Sequence, residues 1–335
     1  MTSRQADKPN CRQTDVSSRR RADTSGKQLH GLVDLQVNGY AGVDFNAPFL
    51  TADDVRATSQ RLFAEGIAAY LPTLVTNDLT AMERLADIIL SAAEPHQQDE
   101  AQILGLHLEG PFISPHDGAR GAHLKQWVRP PDADWLQKIH DRTNGRVRIM
   151  TLSPEWENAA SFIAAARSLN IRVAIGHTLA THAQIADAIN AGATLSTHLG
   201  NAIPPMLPRH PNPIWSQLAD DRLHASLVAD GFHLPQEFFQ TVLKVKKEKA
   251  FLVSDCTQFA GMPPGRYTSP IGGEVVLTPE GRLHLASDER LLAGSAFSLR
   301  RMVDFLVASR WLCHKEALEM ASARPLEFLG SGQTH

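Results

Sequence analysis

Cysteine is scarce in this chain, and long apolar runs are missing. The three cysteines, Cys11, Cys256 and Cys313, are too few and too irregular for a disulfide framework, and they point to a reducing compartment, the cytoplasm. No apolar stretch reaches the roughly 18 residues that a membrane helix needs. An excess of one charge is lacking too. The 33 Lys and Arg against 36 Asp and Glu leave a net −3, so neither nucleic acid nor an anionic membrane is an expected partner. The first 28 residues hold seven Lys or Arg, Arg19, Arg20 and Arg21 among them. No apolar segment follows that cluster, so neither a secretory nor a twin-arginine signal reads there. Residues 1–28 are expected to be a disordered polar tail.

What is present begins at residue 29, where apolar runs alternate with helical periods. Strands are expected at 31–37, 67–74, 103–108, 147–152, 171–175, 193–197, 224–229 and 250–254. Helices are expected at 51–65, with Thr51 as N-cap, and at 81–93, 157–169, 181–191 and 235–246. Long loops fill residues 110–131 and the proline-rich stretch after the sixth strand. Eight strands, each followed by a helix or long loop, favour a closed (β/α)8 TIM barrel spanning 29–330 over an open doubly wound sheet. The 335 residues, 43% of them hydrophobic, suffice for such a core. Residues 265–286 break the rhythm and read as a β-hairpin inserted after the eighth strand, and two helices, near 296–309 and 315–323, close the chain.

The strand assignment carries its own test. Chemistry on a barrel sits at the carboxyl ends of the strands. The third strand runs into Glu109, the fifth into His177, the sixth into His198 and the eighth into Asp255. One carboxylate and two imidazoles suit one divalent ion, Zn²⁺ foremost, with Fe²⁺, Co²⁺ or Mn²⁺ as alternatives, and a coordination position left for water. Asp255, on a separate strand, suits a general base for that water. His107 shares the face of Glu109 and reads equally as core residue or ligand, whereas His140 and His182 read as solvent-facing. Gln36 and Asn38 share a face of the first strand. Amides ligate such metals poorly, so they argue for one ion rather than two and are expected to hydrogen-bond within the mouth.

Several segments carry a resemblance: GLVDLQVNGYAGVDFN from Gly31, LHLEGPFISP from Leu106, GAH ending at His123, TLSPE from Thr151 and IGHTLAT from Ile175. They continue with THLGNAIPP from Thr197, ADGFH from Ala229, LVSDCT from Leu252 and LAGSA from Leu292. With these motifs, spread over residues 31–330, the chain resembles the N-acetylglucosamine-6-phosphate deacetylases of the amidohydrolase superfamily. The resemblance implies that Glu109, His177 and His198 are metal ligands, Asp255 the catalytic acid/base, and His123 the residue that polarises the substrate acetamide. It implies substrate contacts at Ala122, Asn201, Ala202, His233 and Leu292, Ala293 and Gly294. Arg209 falls on a phosphate-binding arginine that reaches across a homodimer. Gln36 and Asn38 match the single-metal branch. The family's small β-sandwich domain is expected to be absent or vestigial, because the segment before Gly31 is short and polar and the chain stops soon after Leu329.

The activity so implied is hydrolysis of N-acetylglucosamine-6-phosphate to glucosamine-6-phosphate and acetate. Rival readings are deacetylation of another N-acetyl amino sugar or its phosphate, hydrolysis of a cyclic amide, and non-catalytic binding of a sugar phosphate.

Overall fold

The computed structural model describes residues 30–269 and 273–330, so the expected tail at 1–28 lies outside the described residues. Strands β1 (Leu32–Val37), β2 (Ile67–Val75), β3 (Leu106–Glu109), β4 (Val147–Leu152), β5 (Arg172–Ile175), β6 (Ala193–Ser196), β7 (His224–Leu227) and β8 (Ala250–Leu252) pair side by side in chain order. Every neighbouring pair is parallel. Just past β8, a parallel bridge between Cys256 and Val37 joins the last strand to the first, and Asp255 N–H donates to the Gln36 carbonyl at 2.9 Å. The ring is a barrel, as the run of eight strands implied.

The strands are almost wholly buried because they face two cores. One fills the barrel with Val33, Leu35, Leu71, Ile149, Leu195, Val228 and Phe251. The other lies between the strands and the surrounding helices. Helix α1 (Ala52–Ala64) starts where expected: Thr51 accepts from the Asp54 N–H while the Asp54 carboxylate accepts from the Thr51 N–H, a reciprocal cap. Around the ring follow α2 (Leu79–Ala92), α3 (Ala133–Arg142), α4 (Ala159–Ser168), α5 (His182–Ala191), α6 (Pro213–Ala219) and α7 (Gln236–Lys246), and then α8 (Leu299–Ala308), α9 (His314–Met320) and α10 (Ala323–Gly330).

Four differences from the sequence reading stand out. The third strand is split at Gly105, whose φ of +137° ends the short pairing of Gln102–Ile103 with β2 before β3 begins. Helix α6 lies in the proline-rich stretch read as loop. Pro213 occupies its first turn, where a missing N–H costs nothing, behind Asn212, whose side chain caps Ile214 and Trp215. The insertion has three antiparallel strands rather than two, β9 (Gly265–Ser269), β10 (Gly273–Leu277) and β11 (Leu283–Leu285), over a small core of Phe259, Val275, Leu277 and Leu283. Helix α10 is an addition, and its Phe328 plugs the barrel floor, 5.5 Å from the Phe251 ring and 5.0 Å from His224.

Candidate active site

Glu109 ends β3, His177 follows β5 by two residues and His198 follows β6 by two. Both His177 and His198 leave their strands in the left-handed region, at φ 50° and 31°, as does Asp255 beyond β8 at φ 48°. Such backbone costs on the order of 1–3 kcal/mol per residue and survives only where the surroundings enforce it. Here it turns three side chains inward over the mouth.

The result is a tight donor cluster. Nε2 of His177 lies 3.2 Å and Nε2 of His198 3.0 Å from Glu109 Oε1, and the two nitrogens are 3.1 Å apart. The Arg120 carbonyl, an acceptor only, lies 3.2 Å from His177 Nδ1. Nδ1 therefore carries the proton of neutral His177 and Nε2 presents a lone pair. Burial alone would raise the Glu109 carboxyl; among the side chains by themselves, hydrogen bonds and charge from the two rings in their protonated form outweigh it and hold it well below its ordinary range, the place that an ion takes over from those protons. A carboxylate and two imidazoles, all buried and within 4.8 Å of one another, form the one group of this kind among the described residues. Donors around a tetrahedral ion with bonds of about 2.0–2.1 Å stand about 3.3 Å apart, so the residues present fit a divalent ion.

Two amides frame this cluster. Gln36 Nε2 donates to Glu109 Oε1 and to Asp255 Oδ1, both at 2.9 Å, and Asn38 Nδ2 donates to Asp255 Oδ1 at 2.8 Å. One Asp255 oxygen is thus committed twice. Burial, with the Glu109 carboxylate nearby, raises the Asp255 pKa above its ordinary range. Pairing of β1 with β2 is irregular between Asp34 and Val37. That irregularity lets Leu35 pack inside the barrel while its neighbour Gln36 also reaches the mouth.

His123 stands on the loop after β3, its Nε2 4.0 Å from Glu109 Oε2. Its Nδ1 accepts from the Thr76 backbone N–H at 3.3 Å and lies 2.8 Å from the Thr76 hydroxyl. An N–H aimed at Nδ1 leaves the ring proton on Nε2. Burial, and His177 beside it, push the His123 pKa down to about 3, so the ring is a neutral donor facing the cluster. Arg120 ties both histidines together, because its guanidinium donates to the His123 carbonyl while its own carbonyl meets His177. His107 resolves as a core residue: it bonds the Leu35 carbonyl and the Thr151 hydroxyl, and burial lowers its pKa to about 4. His182 is exposed, whereas His140 is half-buried, with an Nδ1 that has no hydrogen-bond partner.

A cavity of 420 Å³ opens over these groups. Glu109, His123, His177, His198 and Asp255 line it, and so do Ala122, Asn201, Ala202, His233, Leu292, Ala293 and Gly294. His233 Nδ1 is 2.7 Å from Asp230 Oδ2. Arg209 is not brought in; it is exposed and outside the lining. The one Lys or Arg in the lining is Arg290. Sequence reasoning had no signal for Arg290, which ends no barrel strand; Thr76 directly follows β2 and so stands at a strand end as the ligands do, but it was not singled out.

No family model matches the chain. It is 33% identical over 310 residues to N-acetylglucosamine-6-phosphate deacetylase from Bos taurus, covering 90% of this chain and 74% of the relative. This chain belongs to the N-acetylglucosamine-6-phosphate deacetylase family. A second relative, N-acetylgalactosamine-6-phosphate deacetylase from Escherichia coli O157:H7, is 33% identical over 300 residues, 89% of this chain and 77% of its own length. Among solved structures of the family, that of a mutant N-acetyl-D-glucosamine-6-phosphate deacetylase from Mycobacterium smegmatis, in complex with N-acetyl-D-glucosamine-6-phosphate, matches with a TM-score of 0.79. The match has 28% identity and covers 90% of this chain and 77% of that one.

Proposed function

We propose that this chain hydrolyses the acetamide of N-acetylglucosamine-6-phosphate, releasing acetate and glucosamine-6-phosphate. The observation that carries the reading is the convergence of Glu109, His177 and His198, beside Asp255 and His123, in a member of this deacetylase family. A divalent ion held by those three side chains, Zn²⁺ by the donor chemistry, would acidify a water and polarise a carbonyl. Asp255 accepts the proton of the attacking water through the oxygen that Gln36 and Asn38 leave uncommitted. His123 donates its Nε2 proton as a hydrogen bond to the acetyl oxygen as negative charge builds there. Asp255 then passes its proton to the departing amine, so acetate and the free amine leave and the carboxylate is restored.

Asn201, Ala202, His233 and the backbone at Ala122 and Leu292–Gly294 hold the sugar. The phosphate needs a cation. Arg290 supplies one from within the chain, and Arg209, exposed on its own chain, serves across a homodimer. Residues 29–330 form the catalytic unit, and the cytoplasm is its compartment; no helix among the described residues is long and apolar enough to cross a membrane.

Acetate release over N-acetylglucosamine-6-phosphate, its galacto-configured counterpart and unphosphorylated N-acetylglucosamine tests the reading. The highest kcat/KM belongs to the first. The galacto sugar is the second reading, favoured by the Escherichia coli relative, and a preference for it replaces the substrate but keeps the chemistry. No acetate from any of the three overturns both.

A further inference from the structure

His177 is held from two sides, and only one of them is the side-chain bond to Arg120. Its backbone sits at φ 50°, a conformation that the following turn has to enforce. The two residues after it, Thr178 and Leu179, are both tied to one oxygen of Glu155, which lies after β4 on the neighbouring strand end. Glu155 Oε2 accepts from the Leu179 N–H at 2.9 Å, from the Thr178 hydroxyl at 3.3 Å and from the Ser153 hydroxyl at 2.6 Å. Ser153 and Thr178 are fully buried and lie 2.8 Å apart, oxygen to oxygen. On the far side, Gln184 Nε2 donates to the Glu155 carbonyl at 3.4 Å, which joins the same turn to α5. A carboxylate oxygen has lone pairs enough to hold such a turn, and hydrogen bonds to a carboxylate are about twice as strong as those between neutral groups.

We infer that Glu155 is a positioning residue for the metal site: it clamps the strained His177 turn and so fixes where Nε2 points. Glu155 lines no part of the cavity and is not one of the donor groups. It acts through the Leu179 N–H and the Thr178 hydroxyl. A metal site tolerates errors of only about 0.5 Å in its donors, so a released turn costs affinity even when every ligand is still present.

The inference rests on the metal reading above, and the test separates the two. Zn²⁺ affinity is measured on chelator-stripped protein by competition with a chromophoric chelator, alongside thermal melting of the same metal-free samples. Wild type binds one equivalent and His177→Ala loses it; failure of either result overturns the metal reading and this inference with it. With those in hand, Glu155→Ala raises the Zn²⁺ Kd by roughly 10- to 100-fold, the usual cost of losing an outer partner of a ligand. Glu155→Gln, which keeps an acceptor oxygen, recovers part of that loss. A Glu155→Ala protein that melts lower but binds Zn²⁺ within about twofold of wild type would make the carboxylate a local prop and overturn the role. If Glu155→Ala does not fold, Ser153→Ala removes only the 2.6 Å bond and weakens Zn²⁺ binding in the same direction; an unchanged Kd there overturns the role as well.

Discussion

Asp255 shows how much of this site is decided one residue at a time. Its backbone is left-handed, one of its oxygens is taken by two amides, and its pKa is raised by burial and by Glu109. Asp255→Asn keeps the size and the acceptor oxygen but cannot take a proton. We expect it to retain a full equivalent of metal and to lose roughly 10²–10⁴-fold in kcat, as general-base removal does. Metal analysis and acetate release on one sample check this, and near wild-type turnover would remove Asp255 from the mechanism. Arg290 raises a different question. Its guanidinium is paired with the Asp288 carboxylate at 2.7 Å yet lines the cavity. Arg290→Ala should raise KM for the phosphorylated sugar with little change for the unphosphorylated one. The same split for Arg209→Ala, and none for Arg290→Ala, would assign the phosphate to the dimer arginine alone.

At the scale of elements, β1 and β8 meet at a seam that the sequence pattern does not announce. Asp34 Oδ1 accepts from the Ser254 N–H at 3.0 Å and the Gln36 N–H at 3.3 Å. Burial nevertheless raises the Asp34 pKa from its ordinary 3.8 to about 7. The folded chain therefore keeps this proton up to about pH 7, while the unfolded chain gives it up near pH 4. Folding takes up a proton in that window, so this group's contribution to stability is full below pH 4 and is lost as pH rises towards 7. Asp34→Asn keeps an oxygen for both N–H groups and has nothing to titrate. Urea midpoints measured from about pH 4 to 8 should fall less steeply with pH for the variant than for wild type, by an amount on the order of a few kcal/mol across the window. Parallel curves would place the proton elsewhere.

For the whole molecule, metal and fold are coupled because the ligands come from three different strand ends. A ligand that binds only the folded state at 100 times its Kd adds about 2.7 kcal/mol. Stripping the protein with chelator should lower its melting temperature and abolish acetate release, and Zn²⁺ should restore both together. A melting temperature indifferent to metal, with activity intact, would count against the donor set. Folding itself need not fail without the ion, since Leu35, Ile149, Leu195 and Phe251 fill the barrel interior independently of it.

Read from the sequence alone, β4 has the bounds it has in the structure, Thr51 is the cap of α1, and the strand-end residues Glu109, His177, His198 and Asp255 are singled out. That much is legible because strands buried on both faces leave short apolar runs, and polar residues stand out where such a run stops. The split at Gly105, helix α6 behind Asn212, the third strand of the insertion and the plug made by Phe328 were not legible. Helix α6 did carry a local signal, the Asn212 cap before Pro213, masked by the surrounding prolines, whereas the others depend on what lies across from the segment rather than within it. The tautomer of His123, set by a backbone N–H from Thr76, and the clamp of Glu155 on the His177 turn are of the same kind. The chain order determined which side chains could meet at the mouth. Only the tertiary structure decided how they are held, because closure of the barrel brings residue 36 to residue 255 and the pairing of β4 with β5 brings residue 155 to residue 179.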